Sequence, residues 1–483
     1  MSVSRRVFVI PGLRHSTTGS DGLATVTPLP RHAAGSSDIP QKPRVAYIMS
    51  RFPKITETFI LFEILAVEKR GVSVEVFPLL RERQGVAHPE AERIVERAHF
   101  LPFVSFPILW ANLYYLMTQP VSYVRMLFEI LNGTRRSANF FVGALGILPK
   151  AVRFAYDMRR LGVQHVHAHF ATHPAVAALI VHRLTGIPFS FTAHGSDLHV
   201  DRCMLERKVE AAAFTVTISE FNKNVIVEEC GEDIRGKVRV VHCGVDPRVF
   251  TPREHEPPSV NEQGPIHLLC VASYEEVKGH RYLIEACGHL RQRGVDFHLD
   301  LVGEGPCRAE VEKRISDAGL GDRIHMHGAQ ARDEVVRMMG AADVVCLPSV
   351  PTAQGKREGI PVVLMEAMAS AVPVVSSQLS GIPELVQDGL SGILVEPRDS
   401  LGLADALERL AGDAPARAVM GNAGRAAIET HFNLETNAAR LAGFFLGRDD
   451  EASSDATRFM GSVIGGIGPH RADKDGGDEP CSK

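Results

Sequence analysis

From Arg44 onward, short apolar runs alternate with amphipathic stretches, and the alternation occurs in two series. Residues 45–49 read as a strand, 58–70 as a helix closed by Gly71, and 72–77 as the next strand. Further strands are expected at 165–168, 188–193, 215–219 and 238–242. Thr251-Pro252-Arg253-Glu254-His255-Glu256-Pro257-Pro258 then has the composition of a linker. The second series places strands at 266–272, 297–302, 324–326, 344–347, 374–376 and 393–395. Strands separated by helices imply parallel sheets covered on both faces, because a parallel crossover needs a dozen or more residues. At 483 residues the chain is too long for one ordinary core. The expected fold class is α/β, with two doubly wound, Rossmann-like domains facing a central cleft. Their expected bounds are 44–250 and 265–430, with a linker at 251–264 and a C-terminal helix at 431–447. Residues 1–43, rich in Ser, Thr, Gly and Pro, are expected to be a disordered extension, and 448–483 a disordered polar tail.

In such sheets ligands sit beyond the carboxyl ends of the strands, so functional groups should come from the loops that follow them. A formal charge of -4 gives no basic face for nucleic acid, which is not expected as a partner. The eight cysteines show no Cys-x-x-Cys spacing and several lie in apolar runs, so reduced core thiols in a cytoplasmic protein are expected. Arg5-Arg6 precedes an apolar run that Pro11-Gly12 ends too soon for a signal peptide.

Residues 100–124 contain no Lys, Arg, Asp or Glu, which is long enough for the ~20 apolar residues of a membrane span. Pro102, Pro107, Asn112 and Pro120 interrupt the run, and its aromatic residues suit an interface better than a bilayer centre. Buried helices of the first domain are the favoured reading, a surface dipping into the membrane the second, and a true span the last. A second uncharged stretch, 139–149, could share one apolar face with it. The second reading would make a peripheral membrane contact a partner of 100–149, with the cytoplasmic protein at the inner face of the plasma membrane.

Seven residues separate Glu358 and Glu366 in Glu358-Gly359-Ile360-Pro361-Val362-Val363-Leu364-Met365-Glu366. Pro361 suits the first turn of a helix, which leaves Glu358 in the preceding loop and Glu366 about one and a half turns inside. Gly359 and Ile360 can then aim backbone N–H groups at an anion held on the helix N-terminus. An anion flanked by hydroxyl-bearing groups fits this spacing, and a nucleotide diphosphate sugar has that shape. Two glutamates near a helix are more often a solvated pair, but a glutamate within an apolar helix is unusual without a partner. Lys278-Gly279 follows the first strand of the second series and could pair with phosphate, although alone it reads as a surface lysine. Gly303 and Gly328 follow the next two strands and are weak signals. In the first series, His194 ends a strand beside Gly195, where it could bond a sugar hydroxyl or move a proton. His165, His167, His169 and His173 are dense enough to suggest metal, yet no Asp, Glu or Cys in the sequence completes a site, and no metal is expected.

Together these motifs resemble the retaining glycosyltransferases of family 4, which have the GT-B fold, over roughly 44–446. Glu358 and Glu366 match the family's Glu-x7-Glu, Lys278-Gly279 its phosphate lysine, and His194 its first-domain histidine. Phe52-Pro53-Lys54-Ile55-Thr56-Glu57-Thr58-Phe59-Ile60 and Ser380-Gly381-Ile382-Pro383-Glu384-Leu385-Val386 look like stretches of the exopolysaccharide and colanic-acid branch. The resemblance implies a C-terminal helix crossing back to the first domain and a hexose transferred from a nucleotide sugar, UDP-linked, to a saccharide or lipid-linked saccharide. It implies no cofactor and no metal. It also implies catalytic roles for His194, Lys278 and Glu358. Ser273, Gly279, Gly303, Gly328, Gly359, Ile360, Leu364 and Glu366 would lie on the donor side, with Glu366 on the ribose. Thr56, Glu57 and Thr58 would form the acceptor side. Many members carry Gly-Arg where this chain has Ala272-Ser273, so the missing charge would fall to Lys278, the helix end, Lys356 or Arg357. Rival readings are a nucleotide-sugar epimerase of the same fold and a non-catalytic assembly component.

Overall fold

The computed structural model describes residues 42–54, 57–82, 89–252 and 264–448. Thr56, most of the expected N-terminal extension, most of the linker and the tail after 448 lie outside the described residues.

Each series forms one six-stranded parallel sheet. The first contains β1 (Arg44–Phe52), β2 (Ser73–Arg81), β3 (His165–His169), β4 (Phe189–Ala193), β5 (Phe214–Thr217) and β6 (Val238–Val240), in the order β2-β1-β3-β4-β5-β6. The second contains β7 (Ile266–Val271), β8 (Phe297–Val302), β9 (Ile324–Gly328), β10 (Val344–Leu347), β11 (Val374–Ser377) and β12 (Gly392–Val395), in the order β12-β11-β10-β7-β8-β9. Central strands such as β4 and β10 are buried along their whole length because helices cover both faces; β10 therefore reads as an unbroken apolar run, while β4 hides Ser190 and Thr192 in hydrogen bonds to His167. β1 and β2 run past their expected ends to Phe52 and Arg81, paired residue by residue.

The expected return of the chain to the first domain is present. Asn433 caps the Leu434–Phe445 helix, its side chain accepting from the N–H groups of Glu435 and Thr436. Ala438, Leu441 and Ala442 of that helix are buried against Val45, Tyr47, Ile64 and Val67 of the first domain. Val245 fixes the crossing: its N–H donates to the Phe432 carbonyl and its carbonyl accepts from Leu434, each at 3.0 Å.

The uncharged stretch departs from its favoured reading. It forms three helices, Phe106–Thr118, Pro120–Thr134 and Ala138–Leu161, and only one stripe of each is buried. Ile108, Ala111, Tyr115, Met126, Ile130, Phe140 and Ala144 face the domain, while Phe106, Met117, Val121, Phe128 and Val142 are exposed. A helix laid on a domain buries one face only, so a helix apolar all round leaves the other face bare. Ala138–Leu161 is long and apolar enough to cross a membrane, but half of its most apolar window is buried within the protein.

Candidate active site

In the second domain the β10 loop leads into the Val362–Ala369 helix, where Leu364, Met365, Ala367 and Met368 are buried. The helix begins one residue later than the proline rule suggested. Pro361 has extended backbone (φ -68, ψ 124) and serves as the cap residue, because its carbonyl rather than its ring opens the first turn. Leu364, expected on the donor side, is fully buried in the core. Among the described residues no protein acceptor takes the backbone N–H of Gly359 or Ile360.

Lys278 closes a short 3-10 turn after β7, and its Nζ lies 2.7 Å from Glu358 Oε1. Gly279 follows with φ +69, and a Cβ there would strike the Pro348 carbonyl, so only glycine lets the β7 and β10 loops approach this closely. Gly303 and Gly328 join the ends of β8 and β9, the Gly303 N–H donating to the Gly328 carbonyl at 2.9 Å. Ser273 Oγ donates to Glu275 Oε1 at 3.2 Å, and Lys356 Nζ contacts the other oxygen of that carboxylate. Burial pushes the Glu275 carboxyl up, but Lys356, Ser273 and Lys278 together outweigh it and the net shift is downward. Lys356 thus lies beside Ser273 but is already charge-paired, while Arg357 lies near enough to His199 of the first domain to oppose its protonation.

Glu366 looks out of its helix into a crevice shared with Thr58, Phe59 and Phe62 of the first domain and with Arg332. Burial lifts its carboxyl to about 7, with the Arg332 charge opposing. Thr58 opens the Thr58–Lys69 helix. Glu57 just before it pairs with Lys54 at 2.5 Å and leaves its other oxygen buried without a partner.

His194 ends β4. Its Nε2 is 3.1 Å from His169 Nδ1, and the ring lies between Phe59 and Phe170, centroids 4.8 and 4.7 Å away. Burial first, then the neighbouring His169, holds His194 well below the ordinary imidazole range, so the ring is neutral. His169 Nε2 stands 3.2 Å from Glu63 Oε1, off the line of a straight hydrogen bond, and Tyr47 OH donates to the same oxygen at 3.0 Å. Glu63, His167 and His169 bring three ligand-type atoms within 4.8 Å of one another. Both ring nitrogens of His167 are nevertheless engaged, by Ser190 at 2.8 Å and Thr192 at 2.9 Å, which makes this a hydrogen-bonded ladder between β3 and β4.

Two carboxylates carry roles that the sequence reading did not assign. Buried Asp197 accepts from the N–H groups of Ala171, His194 and Gly195 at 2.7, 3.0 and 2.7 Å, and so fixes the His194 loop. Glu384 of the second domain accepts from Glu220 N and Phe221 N, both at 2.8 Å, at the start of the Glu220–Cys230 helix in the first domain. The His194–Gly195 and Glu358–Gly359 loops also touch. A Cβ on Gly359 would lie 2.3 Å from the His194 carbonyl, and one on Gly195 would lie 3.1 Å from Gly359 Cα.

His194, Glu358, Gly359 and Lys278 therefore converge where the carboxyl ends of the two sheets meet. Residues 56–249 match the family model described as Glycosyltransferase Family 4, and 252–427 the one described as Glycosyl transferases group 1. The chain is similar to the amylovoran biosynthesis glycosyltransferase AmsK of Erwinia amylovora, 39% identical over 207 residues, covering 43% of this chain and 50% of that protein. It is likewise 39% identical over 209 residues to the putative colanic acid biosynthesis glycosyltransferase WcaL of Escherichia coli K12, with the same coverage of each. The matches thus span about half the length of these curated relatives. Anabaena Alr3699/HepE, solved in complex with UDP and glucose, superposes with a TM-score of 0.61 at 17% identity, covering 83% of this chain and 99% of that one.

Proposed function

The chain belongs to the glycosyltransferases built from a family 4 domain followed by a group 1 domain on the GT-B fold, and from that premise we propose that it transfers a hexose from a UDP-linked donor to a saccharide or lipid-linked saccharide, with retention, in exopolysaccharide or cell-surface glycan synthesis. The observation that carries this reading is the Lys278–Glu358 pair at the mouth of the Val362–Ala369 helix, faced by His194 from the other sheet. The polysaccharide-synthesis names of AmsK and WcaL support the pathway class, and the UDP held by HepE supports the base.

In this reading the diphosphate lies against Lys278 and the free amides of Gly359 and Ile360, where donors set in advance stabilise developing charge. Glu366 accepts from the ribose and Glu358 from the transferred sugar. The bond from the anomeric carbon to the diphosphate oxygen breaks, and its electron pair leaves with the nucleoside diphosphate. The acceptor oxygen bonds the same face of that carbon, and its proton passes to the departing phosphate oxygen. Glu358 is tied to Lys278 and is not set up as a covalent nucleophile, which favours this front-face course. Neutral His194 contacts the sugar from the acceptor side as a hydrogen-bonding group. The reaction as written uses no metal.

Incubating the protein with UDP-glucose, UDP-galactose and GDP-mannose separately, without acceptor, tests the reading. Slow release of nucleoside diphosphate from one donor is expected. An altered sugar still attached to its nucleotide would point to an epimerase, and absence of binding to every donor in calorimetry would remove the assignment.

A further inference from the structure

Of the eighteen large hydrophobic residues exposed among the described residues, thirteen lie between Phe103 and Leu145. Phe106 is 78% exposed, Met117 73%, Val121 70%, Phe128 70% and Val142 67%. Such residues scattered singly need no explanation, but this many along three adjoining helices and the segment leading into them mark an interaction surface.

We propose that this face is a docking surface for an anionic phospholipid bilayer, on which the protein lies without spanning it. Charge selects the occupant. The only charged residues from 100 to 149 are Arg125, Glu129, Arg135 and Arg136. The Glu129 carboxylate is held by both Arg183 contacts, at 2.9 Å each. The three arginines are exposed and make no ion pair among the described residues. An apolar face edged by unpaired arginines complements anionic headgroups above acyl chains. A second copy of the same face would instead bring like charges together. Trp110, 49% exposed on this face, is of the aromatic type that settles at headgroup depth. A span is excluded by packing, because Phe140, Ala144, Ile147 and Leu148 of the longest helix are buried in the first-domain core and cannot face lipid.

The face also has a physical route to the acceptor side. After Arg135-Arg136 the chain turns at Ser137, whose hydroxyl donates to Asp201 at 2.7 Å, four residues beyond the Asp197 that fixes the His194 loop. A protein lying on this face holds that loop beside the bilayer, where a lipid-linked saccharide would be found. The docking surface itself stands independently of the transfer reading.

Trp110 is the one tryptophan in the chain, is 49% exposed and lies on this face, so it reports directly. The full chain is titrated with phosphatidylcholine vesicles, with and without phosphatidylglycerol, and with brominated-lipid versions of each. A blue shift with bromine quenching is expected, on the order of tenfold stronger in partitioning with phosphatidylglycerol. Phe106→Ser with Met117→Ser should abolish it, and Arg135→Gln with Arg136→Gln should remove the preference for anionic lipid. Each variant is first shown to keep the wild-type circular-dichroism spectrum and unfolding midpoint, which separates lost docking from lost folding. No shift with either vesicle, or equal partitioning to both, overturns the proposal. So does a blue shift without vesicles that grows with concentration alongside a doubled mass, which would assign the face to a second copy. Carbonate-resistant membrane insertion overturns it in favour of a span.

Discussion

Lys278 Nζ and Glu358 Oε1 stand 2.7 Å apart with their side chains only 20% and 15% exposed, so each neutralises the other at the place proposed for the diphosphate. Donor binding must then divide the pair, the ammonium turning to phosphate and the carboxylate to sugar hydroxyls. Lys278→Ala should cost turnover about 10²–10³-fold, the usual effect of losing one charge-stabilising contact. Glu358→Gln should behave differently. It releases the lysine, so UDP should bind at least as tightly as to wild type while sugar transfer falls. Calorimetry with UDP alone checks this, and weaker UDP binding by Glu358→Gln would show that the two groups do not compete.

Glu366 gives a pH dependence of known sign. Its folded value of about 7 is above the roughly 4.3 of an unfolded glutamate, so the native state holds the proton more tightly. The stabilisation from this site is complete below pH ~4.3 and lost as pH rises to about 7, a change of up to about 4 kcal/mol. Only the ionised carboxylate can accept from both ribose hydroxyls, so UDP affinity should rise as pH passes upward through about 7. Glu366→Gln should flatten both curves, raising stability at pH 8 while weakening UDP. Urea unfolding and calorimetry at pH 6 and 8 measure the pair of effects.

The layers were legible because strands of a covered parallel sheet are short, mostly apolar segments between amphipathic helices, and β8 and β10 fall on their expected residues. The pairing of Lys278 with Glu358 was not legible, since it depends on how closely the β7 and β10 loops approach in space. The cap that Glu384 places on a first-domain helix was equally hidden, because nothing in Ser380-Gly381-Ile382-Pro383-Glu384 names a donor 163 residues upstream. For the helices between Phe106 and Leu161, periodicity could not tell the buried stripe from the bare one when nearly all positions are apolar.

Gly359 tests whether the loop contact matters to the reaction. A Cβ at this position would meet the His194 carbonyl at 2.3 Å and Ile218 Cδ1 at 2.9 Å, both belonging to the first domain. Gly359→Ala should hold the domains slightly apart, with little strain inside either one. Turnover should fall at least tenfold while UDP affinity stays within about twofold, because one misplaced group near the reacting centre costs far more in rate than in binding. Small-angle scattering with UDP bound should show a larger radius of gyration than wild type. Normal turnover would mean that this closed contact is not the working arrangement.

Glu63 tests how His194 is set for its task. The Glu63 carboxylate, 3.2 Å from His169 Nε2, favours the proton on that nitrogen, which leaves His169 Nδ1 as an acceptor. His194 Nε2, 3.1 Å away, must then be the donor, and its Nδ1 keeps a lone pair that can accept from a sugar hydroxyl. Glu63→Gln removes the charge that orders this chain while keeping its shape. It should lower kcat about 10–100-fold, the range seen when the partner orienting a working imidazole is lost. UDP affinity should be unchanged, because Glu63 belongs to the first sheet's side of the cleft, and Glu63→Asp should recover part of the rate. Nitrogen NMR of histidine-labelled protein should show the His194 ring exchanging between tautomers in Glu63→Gln and fixed in wild type. A parallel fall in UDP affinity or thermal stability would reduce Glu63 to a packing role.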